Sequence, residues 1–203
     1  MAAYEGLDNC VIFDFETLSV DVNQGVVLSL GLLSYSDTRF TGDIPYSYDE
    51  LLENSKYMKF DVEDQVKNYN RKVSKNTLEW WNKQGEDAKS VLKPNLELDE
   101  SISQLYNFFV LNVNINNLKT VFCRGNTFDI PLMEGIMKQT GYSVPYPFWM
   151  VRDTRSYLDG LLYGSGQRNS YIPEGCKEKF VAHDARHDVV MDVMRMQTII
   201  QAL

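Results

Sequence analysis

The chain has 203 residues with an ordinary 44% hydrophobic content and a net charge of −8. That balance argues against a protein whose main business is gripping long duplex DNA through its phosphates. The longest apolar stretch, Val26 to Leu33, is too short to span a bilayer, so no membrane role is expected. The three cysteines, Cys10, Cys123 and Cys176, are scattered without a C-x-x-C pair, which fits a reduced cytoplasmic setting better than a disulfide framework or a zinc site.

Residues 1–8 read as a short polar lead without the basic and apolar regions of a signal peptide. Asn9 to Phe15 reads as the first strand, rich in β-branched and aromatic residues. Its continuation, Asp14-Phe15-Glu16-Thr17, carries two acids at alternate positions, about 7 Å apart on one face. Two carboxylates on an apolar strand are unfavourable unless a cation sits between them, and hard divalent ions prefer such oxygens. A solvated pair at a sheet edge is the plainer explanation of the same residues. A turn at Asp21 to Gly25 leads to a second strand, Val26 to Tyr35, making an antiparallel hairpin. Ser29, Gly31 and Ser34 within it suggest close backbone approach.

Residues 36–75 are polar and irregular, with a possible strand at Tyr57 to Phe60 and a charged helix or loop from Asp61 to Asn70. Ser74 to Gln84 is expected to be helical, with Asn76 as N-cap and Glu79 completing a capping box. It carries Trp80 and Trp81, which point about 100° apart on a helix, so at most one of them faces a ligand. Pro94 marks a break, and Asp99 to Leu111 forms an amphipathic helix.

Thr120 to Arg124 reads as a short strand running through Gly125 and Asn126 into a helix that starts at Asp129-Ile130-Pro131. Asp129 is either a cap at the positive end of that helix or a third acid beside Asp14 and Glu16. Asn126 either caps the helix or meets a ligand. Phe148 to Val151 is expected to be the last strand, followed by a helix from Asp153 to Leu161 and a Gly/Ser/Asn-rich loop from Gly164 to Gly175. A long helix covers His183 to Ala202, with Asp184, Asp188 and Asp192 on one face. His183 or His187 can act as a base at neutral pH, and His183 has the better placement at the end of a flexible loop. The whole reads as one mixed α/β domain, a sheet flanked by helices.

Taken together, Asp14-x-Glu16, then Asn126, Phe128 and Asp129, then His183-x4-Asp188 stand in the order and spacing of the three motifs of the DEDDh branch of 3′–5′ exonucleases. From about residue 9 onward the chain resembles the phage DexA exodeoxyribonucleases in particular. The likeness includes Thr77 to Trp81, Cys123-Arg124-Gly125 and Phe180 to Asp184. The resemblance implies a ribonuclease H-like fold and release of nucleoside 5′-monophosphates from the 3′ end of single-stranded DNA, with RNA as the alternative substrate. It implies that Asp14, Glu16, Asp129 and Asp188 hold two Mg²⁺ ions, or Mn²⁺ as substitute, about 4 Å apart. Asp14 would bridge them, and His183 would be the base. It also puts Thr17 and Leu18 beside the terminal nucleotide, Leu18 as a wedge at the last base step. Trp80 or Trp81 is a candidate for base stacking, and Arg124, Arg152, Arg155 and Arg186 for phosphate contact. A non-catalytic binding module of the same fold is the remaining alternative.

Overall fold

The structure is a computed structural model that describes residues 8–93 and 97–203. Most of the polar lead and the break expected at Pro94 lie outside the described residues. A five-stranded sheet has the order β3-β2-β1-β4-β5. Its strands are β1 (Cys10–Thr17), β2 (Val27–Tyr35), β3 (Lys56–Lys59), β4 (Thr120–Cys123) and β5 (Val151–Asp153). The first three are antiparallel neighbours, while β4 and β5 run parallel to β1. The expected hairpin and mixed sheet are therefore present.

Alternation along β1 separates two cores. Val11, Phe13 and Phe15 pack against helices α5 (Leu98–Asn112) and α6 (Asp129–Gln139). Cys10 and Ile12 face α7 (Thr154–Leu161) and α8 (Ala185–Ala202). Asp14 and Glu16 continue this second face. A third cluster joins Leu18, Val26 and Leu28 to α3 (Lys75–Trp81) and α4 (Glu86–Lys89).

The polar stretch 36–75 is more ordered than its composition suggests. It contains α1 (Tyr48–Asn54), capped by Ser47, and α2 (Val62–Tyr69), capped by Asp61 and closed by Asn70 at φ 54°. Gln65 of α2 is buried and brackets Val27, its amide accepting from the Val27 N–H at 2.9 Å and donating to the Val27 carbonyl at 2.8 Å. The capping box expected at Asn76 is absent. Ser74 caps α3 instead, its hydroxyl accepting from the Thr77 N–H, while Glu79 pairs with Lys75 at 3.8 Å. The last strand also starts later than expected: Phe148–Met150 is a 3₁₀ turn, and Val151 is the first residue to pair with β4.

Gly31 fixes the placement of α8. It lies opposite Asp14 on β2, and a Cβ there would sit 2.1 Å from the Ala185 carbonyl oxygen. Only glycine lets the first turn of α8 lie this close to the sheet. That approach brings Asp188 over the carboxyl end of β1.

Candidate active site

The site forms where β1 and β4 part. Their pairing ends at Phe13 and Cys123, after which β4 turns away through Arg124 and Gly125. This leaves the Phe15 N–H without a ladder partner, and the Asp129 carboxylate takes it at 3.2 Å. Asp129 is thus the first residue of α6 and at the same time is tied to β1 between Asp14 and Glu16. From the far side α8 contributes Asp188, whose carboxylate accepts the His183 N–H at 3.1 Å. These groups line one open cavity of about 290 Å³.

Among the described residues, none of Asp14, Asp129 and Asp188 forms an ion pair with lysine or arginine. Burial is the first cause that pushes all four carboxyls up, and mutual repulsion adds to it for Asp14 and Glu16. Asp129 and Asp188 are each raised to about 7, Asp129 despite the Phe15 N–H and Asp188 despite nearby Arg124 and Arg195. Crowded carboxylates without matched charge are what a site for hard cations requires. Glu16, His183 and Asp188 each place one ligand atom within 4.8 Å of the others, close enough to share an ion.

The two histidines have separate places. His183 sits at φ 64° in the loop before α8, an unusual conformation for a non-glycine residue. Its Nδ1 lies 3.9 Å from Glu16 Oε1, and the Trp80 ring meets it edge-on at 4.8 Å. Burial lowers its pKa, which favours the neutral imidazole at pH 7. His187 points away from the cavity, and its Nδ1 shares a 2.8 Å hydrogen bond with the Tyr48 hydroxyl in the seam with α1. The helix itself starts at Ala185, two residues later than expected, with Asp184 as its cap.

Several expectations for substrate contact need correction. Leu18 is only 3% exposed and belongs to the third core, so it is no wedge. Trp81 is fully buried, its indole N–H donating to the Thr17 carbonyl at 2.9 Å; it holds the strand end in place rather than stacking on a base. That bond also takes up the Thr17 carbonyl. Trp80 is 40% exposed and borders a groove of about 510 Å³ that reaches from Glu16 and Thr17 to Asn76. Asn126 is exposed and does not cap α6, whose N-cap is Phe128. Its backbone N–H donates to Asp153 at 3.4 Å. Arg186 lies over the Tyr57 ring. Arg124 and Arg155 line the cavity.

Asp192, expected on one helical face with Asp184 and Asp188, is a buried hub at 1% exposure. Its carboxylate accepts from Arg124 at 2.5 Å, Arg195 at 2.6 Å and the Thr154 hydroxyl at 2.7 Å. Nothing in the sequence marks it apart from Asp188, one turn earlier on the same face.

Buried carboxylates from three parts of the chain meet beside an imidazole at one end of a mixed sheet, an arrangement suited to metal-assisted cleavage of a phosphodiester. A family model described as "Rv2179c-like: 3′-5′ exoribonuclease Rv2179c-like domain" matches residues 9–200. The chain belongs to that family, and it is a 3′–5′ exonuclease acting on nucleic acid. It is 29% identical over 205 residues to an exodeoxyribonuclease of Enterobacteria phage T4, covering 92% of this chain and 86% of that one. In fold it is similar to E. coli exonuclease I in complex with a 5cy-dA13 oligonucleotide, with a TM-score of 0.62 at 10% identity over 96% of this chain. The zinc-bound complex of that enzyme with single-stranded DNA gives 0.59 at 10% identity over 96%. In both cases the chain spans only 40% of exonuclease I. Among the described residues no helix is long and apolar enough to cross a membrane.

Proposed function

We propose that this chain removes nucleoside 5′-monophosphates one at a time from the 3′ end of single-stranded DNA. The observation that carries this reading is the cavity of four unpaired carboxylates with His183 on its rim. The donor set fits divalent metal: it is all oxygen apart from one imidazole, and Arg124 and Arg155 on the cavity wall offset its repulsion only in part, since all four carboxyls are still pushed up. Asp14, Glu16, Asp129 and Asp188 would hold the ions, Mg²⁺ by preference and Mn²⁺ as substitute. When bound, such ions lower the pKa of water and neutralise charge on the attacking and leaving oxygens.

The chain's own residues do the rest. His183, neutral and held by the Trp80 edge and its backbone, takes a proton from the attacking water. The water oxygen bonds to phosphorus as the bond to the 3′-oxygen of the penultimate nucleotide breaks, and that oxygen takes up a proton from solvent water. General-base help of this kind is worth about 10²–10⁴-fold. The groove beside Thr17 and Trp80 takes the terminal nucleotide, with Trp80 as its exposed ring.

DNA as substrate is supported by the likeness to the phage exodeoxyribonuclease over nearly the full length of both chains. RNA is the second reading, favoured by the description of the family. Discrimination rests on the 2′-hydroxyl. Matched 5′-labelled DNA and RNA oligomers, each with Mg²⁺, Mn²⁺ or chelator, decide between them. Faster shortening of DNA supports the first reading, faster shortening of RNA supports the second, and activity undiminished by chelator removes the metal from the scheme.

A further inference from the structure

We propose that the open β5 edge of the sheet is a track for the upstream part of the substrate strand. Trp149 and Phe148 would stack on its bases, with Arg152 and Arg155 contacting its phosphates. The proposal rests on the exonuclease reading, and it concerns a surface that reading does not need.

The first observation is exposure. Phe148 is 78% exposed and Trp149 59%, and the two rings meet edge-to-face at 5.1 Å in the turn before β5. Large aromatics left in water side by side mark a binding surface more often than a defect of packing. The second is charge. In a chain of net −8, this edge carries two exposed arginines that form no ion pair among the described residues. Arg152 donates through Nη1 to the Trp149 carbonyl at 2.7 Å and the Val151 carbonyl at 2.8 Å. These bonds fix the guanidinium against the turn that carries the aromatic pair and leave its other donors available. Aromatic faces interleaved with arginine are how proteins hold single strands without reading sequence.

The third observation is continuity. Asp153, at the site end of β5, accepts the Asn126 N–H, and the Arg155 guanidinium lies 3.4 Å from where a Cβ on Gly125 would be. The cavity wall at Gly125 and Arg155 therefore adjoins the site end of β5. β5 itself, Val151 to Asp153, is about 7 Å of extended backbone, and the turn that carries Trp149 precedes it directly, within a few nucleotides' reach. The groove at Thr17 and Trp80 lies across the acids on the β2 side, while Gly125 and β5 lie on the other flank. With the terminal nucleotide in that groove, the rest of the strand has to leave past Gly125. β5 is the terminal strand of the sheet, so one of its edges pairs with no other strand.

A length series tests this. Steady-state kinetics on (dT)2 and (dT)12, with (rU)2 and (rU)12 in parallel, are measured for wild type, the Phe148→Ala/Trp149→Ala double variant and Arg152→Gln. The ratio of kcat/KM on the 12-mer to that on the dimer should fall at least about fivefold in the double variant, through KM. It should fall less in Arg152→Gln, with a weaker salt dependence. An unchanged ratio overturns the track. So does light scattering that finds a wild-type dimer and a monomeric double variant, because the patch is then a seam between copies. If wild type shortens no strand at all, the exonuclease reading fails on its own. The track is then judged by quenching of tryptophan fluorescence on adding (dT)12: loss of the quench in the double variant supports it, and an equal quench overturns it.

Discussion

Asp188 and Asp192 stand one turn apart on α8 and show two fates of a carboxylate inside a protein. Asp192 is met by two guanidinium groups and a hydroxyl, so its charge is matched by the chain itself. Asp188 receives one backbone N–H from His183 and faces three more acids across an open cavity. The two sites also share a wall, since Arg124 borders the cavity and pairs with Asp192 behind it. One carboxylate is tied into the fold, and the other keeps a face open to the cavity. What separates them is the supply of partners rather than residue type or depth.

The largest effect that can break this contrast is on turnover. Asp14→Asn or Asp188→Asn should reduce strand shortening to background under Mg²⁺ or Mn²⁺, while metal-free protein melts at the same or a higher temperature. Near wild-type rates in either variant would undo the metal assignment. Next in size is His183→Ala, expected to lower kcat about 10²–10⁴-fold with strand binding retained. His187→Ala should instead lose stability through its bond to Tyr48 and keep most of its turnover. If the two variants behave the other way round, the imidazoles have been assigned the wrong way.

The opposite half of the contrast is read in stability. Asp192→Ala leaves the buried Arg195 and the half-buried Arg124 without their shared acid. Breaking a buried pair of this kind costs about 3–5 kcal/mol, measured here by urea unfolding. A variant as stable as wild type would show that water replaces the carboxylate at no loss, and that Asp192 is not the structural counterpart of Asp188.

How much of this was legible in the sequence follows the same line. The two acids on β1 were readable because period-two alternation fixes their face, and Gly31 was readable because a glycine inside an apolar strand needs a reason. The order of the three acid-bearing segments carried the site. Asp192 was not readable, since a helix position says which face a residue shares but not which arginine will come from residue 124 to meet it. The two tryptophans divided as helix geometry requires, yet only packing showed that Trp81 goes inward. Helix α1 was missed because it buries just Tyr48 and Leu51 of its seven residues, too sparse a pattern to stand out. Leu18 was misplaced because it falls just beyond β1, where the alternation that orders the strand no longer applies.

The smallest effect is also the most direct reading of unmatched charge. Asp129 and Asp188 are held at about 7 in the folded chain, against about 3.9 for an unperturbed aspartate. Between those values the folded state binds protons that the unfolded chain has released. Their contribution to stability is therefore fully present below about pH 4 and is lost as pH rises through 7. The melting temperature of metal-free protein should fall by a few degrees from pH 5 to pH 8, and Asp129→Asn should flatten that slope. Millimolar Mn²⁺ at pH 8 should restore the loss, because an ion that binds only the folded state stabilises it by mass action. A melting temperature that rises across this range in metal-free wild type would mean the four acids are matched by the protein after all, and Asp188 would then belong with Asp192.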